Sequence, residues 1–167
     1  MRKTTRHVTH RARTLTTTFI AMIAAMGLLA QSAWATTPTD GSGTFTFAAA
    51  VTGSRQADGN TFLTLTGTEA IAGALTGAAT VQFDQVIHPS GEANLKGLIT
   101  CACSVGGRSG TVDFRFEGSG AGTASSPLVG QFVTQSASGG LAGLRFDGTF
   151  NSVGPGGTYT VRWHFDP

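Results

Sequence analysis

Val112-Asp113-Phe114-Arg115-Phe116-Glu117 sets three apolar side chains against three charged ones in strict alternation. Successive side chains of a β-strand point to opposite faces, so this stretch reads as a strand with one greasy and one wet face. The same period runs through Val81, Phe83, Gln85 and Ile87 against Gln82, Asp84, Val86 and His88. It recurs in Tyr159, Val161, Trp163 and Phe165 against Arg162, His164 and Asp166. Strands buried on one face only belong to antiparallel sheets. Turn residues separate eight such segments: Asp58-Gly59-Asn60, the region of Ile71-Ala72-Gly73, Pro89-Ser90-Gly91, Val105-Gly106-Gly107, residues 118–122, Ser138-Gly139-Gly140 and Gly154-Pro155-Gly156-Gly157. No stretch of about twelve residues carries an apolar stripe of helical period with caps, and a single helical turn fits only near Gly140–Leu144. The expected fold is therefore all-β, an eight-stranded antiparallel up-and-down barrel, which closes on itself and leaves no edge.

Outward from these strands, the first 35 residues differ in kind from the rest. Residues 1–13 are basic, an apolar run extends from Phe19 to Ala30, and Ala33 and Ala35 flank Trp34 at the spacing of a signal-peptidase site. Residues 1–35 are expected to be a signal peptide cut after Ala35, residues 36–41 a disordered mature N-terminus, and residues 42–167 the barrel. The expected location is secreted or periplasmic, with no stable membrane insertion after cleavage. The apolar run is shorter than the roughly 20 residues a spanning helix needs. Five of the eleven cations lie in the first thirteen residues, leaving six against nine anions in the mature body, net −3. That balance removes the basic footprint of a nucleic-acid binder. A body of this size buries about two-thirds of its unfolded surface and holds a core without metal or disulfide.

The motifs that name an activity are missing. No Ser stands in G-x-S-x-G, no H-E-x-x-H occurs, and Gly118–Gly122 has Thr123 where a phosphate loop needs its next glycine. Asp84, His88 and Glu92 gather acid and imidazole around one turn and are the candidate catalytic residues, although Asp84 and His88 stand about 13 Å apart along an extended strand. Cys101 and Cys103 share one strand face. Residues i and i+2 of an extended strand lie ~6.6 Å apart, which favours two unbridged thiols over a local disulfide or a soft-metal site. No metal and no cofactor are expected. Asp113, Arg115 and Glu117 read as an exterior ladder pairing across strands with Arg145 and Asp147 or Arg162 and Asp166. A membrane barrel would reverse inside and outside, but the strand tips lack aromatic girdles.

Phe83 with Val86-Ile87-His88-Pro89-Ser90-Gly91, then Gly107-Arg108-Ser109-Gly110-Thr111-Val112, then residues 140–150, and finally Tyr159 with His164-Phe165-Asp166-Pro167, carry a family resemblance. Over nearly all of residues 42–167 the chain resembles bacterial proteins of unknown function in the allene oxide cyclase-like barrel superfamily, which is similar also to plant dirigent proteins. The resemblance implies an eight-stranded barrel with an internal ligand cavity and enzymes that guide cyclisation or coupling of apolar molecules by shape. The plant cyclases rely on an acid early in the barrel. Gly43–Val51 contains none, so no catalytic residue is carried over.

Three functions fit this reading. The first is non-covalent binding of a small apolar or aromatic ligand in the lumen, with Phe83, Phe114, Phe116, Phe146, Trp163, Cys101 and Cys103 as ligand-binding residues and Phe45, Phe47, Leu95, Ile99 and Phe150 completing the lining. A cyclase or isomerase in the same cavity is the second. The third is a filled barrel acting through its surface as an envelope or interaction module. Expected partners are the small apolar ligand and, in a homo-oligomer, further copies of the chain; nucleic acid is not among them.

Overall fold

The computed structural model describes residues 37–123 and 126–167. Eight antiparallel strands form one closed barrel in sequence order: β1 (Thr39–Ala57), β2 (Asn60–Gly73), β3 (Thr76–Ile87), β4 (Glu92–Val105), β5 (Arg108–Ala121), β6 (Leu128–Gly139), β7 (Leu144–Val153) and β8 (Gly156–Phe165). Closure is made by Thr39–Thr46 of β1 against Gly156–Trp163 of β8. The first strand thus starts at Thr39, inside the stretch expected to be disordered, because Thr39, Asp40 and Gly41 pair with Trp163, Arg162 and Val161. The expected signal peptide and its cut site lie outside the described residues.

Inside and outside follow the sequence pattern. Val112, Phe114 and Phe116 are buried and Arg115 and Glu117 exposed. The charged ladder does face out, but its partners are not the expected arginines. Asp113 accepts hydrogen bonds from Thr100 (2.7 Å) and Ser136 (2.6 Å), and Glu117 accepts one from Gln131 (2.6 Å). Register decides this, since Thr100 and Ser136 stand directly opposite Asp113 on β4 and β6. Of the expected set, Arg145 Nε pairs with Asp166 Oδ2 at 2.6 Å, and His164 Nε2 lies 3.1 Å from the other oxygen of Asp166.

Two turn assignments shift. The β2–β3 turn lies at Ala74–Leu75, just past the expected position, and residues 118–121 continue β5 instead of turning. Glycine serves there for space: a Cβ on Gly118 would stand 3.1 Å from both Leu128 Cδ2 and Phe150 Cζ. The segment Gly140–Gly143 is a turn of helical type, with Leu144 N–H donating to Leu141 C=O (2.9 Å).

An up-and-down barrel places the β2–β3, β4–β5 and β6–β7 turns at one end. That end is plugged by Leu75, Val105, Leu141 and Leu144, all at most 3% exposed. Tyr159 ties the plug down: its hydroxyl accepts from Leu75 N–H (2.9 Å) and lies 3.2 Å from the carbonyls of Ala72 and Leu75. A Cβ on Gly43 would collide with that hydroxyl, so glycine is needed where the ring crosses β1. At the opposite end the turn residues are exposed or half-buried.

Cys101 and Cys103 form a disulfide, contrary to the expectation of free thiols. Their Cα atoms are 5.4 Å apart, closer than the ~6.6 Å of an ideal strand and well inside the window a bridge requires.

Candidate functional site

Within the barrel lies a cavity of about 140 Å³. Its wall is aromatic. Phe83, Phe116, Phe150, Phe45 and Phe47 form one chain of rings with successive centroids 6.1–6.4 Å apart. Phe114, Phe132, Phe146 and Tyr159 form a second cluster, with centroids 5.7–6.2 Å apart. Edge-to-face and tilted pairs dominate, as the ring quadrupole favours. Ile71, Leu75, Val81, Leu95, Ile99 and Leu128 complete the apolar lining.

Three lining residues carry polar groups. Tyr159 is occupied as described, and burial pushes its phenol above the ordinary value against a smaller opposing pull from its Leu75 hydrogen bond. Ser152 Oγ donates to Gly156 C=O at 3.1 Å. The third is Glu69, on β2 between Phe47 of β1 and Ala79 of β3. It has neither a hydrogen bond nor an ion pair among the described residues, and burial raises its carboxyl from 4.5 to about 7. With no counter-charge beside it, burial favours the neutral form well above the usual carboxylate range.

The sequence expectations divide along this geometry. Phe83, Phe114, Phe116 and Phe146 line the cavity, as do Phe45, Phe47, Leu95, Ile99 and Phe150. Trp163, Cys101 and Cys103 point inward but do not line it. Trp163 covers Gly106 and packs edge-on against Phe165 at 6.0 Å, while the cysteines are buried in the core cluster with Val105, Leu141 and Leu144. Parity put all three on the inner face, and the tilt of the strands carried them toward the plugged end, away from the space.

Asp84, His88 and Glu92 do not form a site. Asp84 faces out and accepts from Thr64 Oγ1 (2.9 Å). The His88 ring is held between Asn60 Oδ1 and Asn94 Nδ2, each at 2.9 Å, which leaves neither nitrogen for proton transfer. Glu92 is exposed. Glu69 was missed, although a signal existed: it occupies the same parity as Leu63, Leu65 and Ile71, an acid in the apolar row of a strand. Among the described residues no group of three or more His, Cys, Asp or Glu side chains converges as metal ligands. No helix among them is long and apolar enough to cross a membrane.

Residues 39–163, from the start of β1 into β8, match the family described as "Protein of unknown function (DUF3224)". The chain belongs to the DUF3224 family. A DUF3224 protein of unknown function from Shewanella oneidensis MR-1, known from its crystal structure, has a similar fold with a TM-score of 0.61 at 16% identity, over 78% of this chain and 99% of that one. No curated protein matches the sequence. The DUF3224 barrel described here therefore shares its architecture with that protein.

Proposed function

We propose that this DUF3224 protein binds a small apolar molecule, about the size of a single aromatic ring, inside the barrel and without covalent chemistry. The carrying observation is the aromatic cavity of about 140 Å³. Engineered apolar cavities of about 150 Å³ stay dry and take up benzene, whereas sites for drug-sized ligands run from about 300 Å³ upward. Size therefore favours one ring or a short branched chain over a fatty acid or a fused polycycle. The allene oxide cyclase-like resemblance supports the same reading, since it implies a barrel that works through its cavity. Export through residues 1–35 is part of the proposal, on the basic stretch, the apolar run and the Ala33/Ala35 pair; mature protein beginning at Thr36 in N-terminal sequencing is the expected result.

Titration calorimetry with toluene and benzyl alcohol tests the binding. One equivalent should bind, and Val81→Phe, which places a ring in the cavity, should abolish binding while far-UV circular dichroism stays native. Failure of every single-ring ligand to bind the folded wild-type protein refutes the proposal. Glu69 favours a second reading, a cyclase or isomerase, because a carboxyl titrating near neutrality can both give and take a proton at a bound substrate. Chromatography and NMR of the small molecules released from protein purified from its own host separate the two: a single retained compound supports binding, and a substrate and its isomer together support catalysis.

A further inference from the structure

The lumen lining is apolar but for three residues, and one of them is an acid. Tyr159 and Ser152 spend their hydroxyls on the barrel's own backbone, so Glu69 is the single polar lining group with nothing to bind among the described residues. Glu69 and Tyr159 are the only titratable groups in the lining, and no lysine, arginine or histidine is there. The flanking strands bring no counter-charge either: Phe47 of β1 and Ala79 of β3 stand beside Glu69, and the nearest charged residue of β3, Asp84, faces outward. A carboxylate in a lining of aromatic side chains with no cation of its own is complementary to a cation brought by the ligand. Aromatic faces attract organic ammonium ions through their quadrupole, most strongly when the ion is stripped of water, and a carboxylate adds the Coulomb partner.

We propose that the lumen selects a small organic cation, an aryl- or alkylammonium ion of single-ring size, with Glu69 as its counter-ion and the Phe45, Phe47 and Phe83 rings as the cation's aromatic wall. This rests on the lumen-binding reading above and amends its ligand from a wholly apolar molecule to one of the same size that carries a cationic head. A neutral ligand of the same shape gains only ring contacts and one hydrogen bond, and an anion meets Glu69 as a like charge. Occupancy by the cation draws Glu69 into its charged form, so binding should release a proton below neutrality and tighten as the pH rises past it.

The test compares benzylamine, benzyl alcohol and benzoate, matched in size, by calorimetry at pH 6 and pH 8. Tetramethylammonium serves as a cation whose own charge does not titrate. At pH 8 benzylamine should bind about tenfold tighter than benzyl alcohol, the scale of a desolvated cation–π contact with part of its gain offset. Benzoate should bind least. Tetramethylammonium should weaken severalfold from pH 8 to pH 6 while benzyl alcohol stays level. Glu69→Gln should remove the advantage of both cations and keep benzyl alcohol. Should that variant not fold, the pH profiles of the wild type decide alone. Benzyl alcohol binding as tightly as benzylamine at pH 8 overturns the inference and leaves the lumen reading standing. Folded wild-type protein that binds none of the four overturns both.

Discussion

Replacing Glu69 with glutamine should stabilise this protein at pH 8 and leave it nearly unchanged at pH 5. The carboxyl shifts from 4.5 to about 7 because burial among rings disfavours the charged form. The folded state therefore holds this proton more tightly than the unfolded chain does. Between about pH 4.5 and 7 the folded protein carries the extra proton, so the group's stabilising contribution is fully present below that window. It is lost as the pH rises through about 7. Each pKa unit corresponds to about 1.4 kcal/mol, so the interval sets an upper limit of about 3.5 kcal/mol on the cost of the charged side chain. The residue is half-buried, not sealed, and water reaching the carboxylate lowers this to about 2 kcal/mol. Glutamine keeps the shape and never charges, so it escapes that cost. Urea unfolding of wild type and Glu69→Gln at half-unit steps from pH 5 to pH 8 measures the difference directly. The two curves should lie within about 0.7 kcal/mol at pH 5, half a unit into the window, and separate to about 2 kcal/mol at pH 8, equivalent to about 8 °C in melting temperature for a body of this size. Starting at pH 5 keeps clear of Asp113, held below the carboxylate range by Ser136 and Thr100, and of Asp166, held there chiefly by Arg145. Curves that stay parallel across the range, or a variant less stable at pH 8, would refute the placement of Glu69 in the lumen.

Three further outcomes are expected. Tyr159→Phe should cost about 1–3 kcal/mol in urea unfolding, because Leu75 N–H loses its partner in the plugged end. Phe146→Ala should cost about 3–5 kcal/mol, since a ring only 1% exposed leaves a cavity that its neighbours cannot fill; a loss below 1 kcal/mol would contradict its place in the core. Thiol titration of the denatured protein without reductant should find no free group, as Cys101 and Cys103 are bridged, and two free thiols would return them to the unpaired state that ideal strand geometry favours.

The alternation of Val112 to Glu117, repeated in β3 and β8, was enough to determine strand, face and class. The side-chain period of a strand is two whatever surrounds it, and turn glycines such as Gly59 and Gly106, both at positive φ, marked where the chain must reverse. Nine of the cavity's lining residues were legible from parity alone. Parity says in or out, but it does not say how far along the barrel. Trp163 and the two cysteines are inward in sequence and in structure, yet strand tilt and register place them at the plugged end beside Gly106 and Val105. Residues 118–121 looked like a turn because glycine serves two purposes, and only the closeness of Leu128 and Phe150 shows that here it provides room. Glu69 is the sharpest case. It shares the parity of Leu63, Leu65 and Ile71, which points it inward, but only pairing with Phe47 and Ala79 and closure of the barrel set it beside the cavity. Local periodicity thus determined which residues could form a lumen. Closure of the barrel, which fixes every register at once, decided which of them surround an empty space and which acid stands in it.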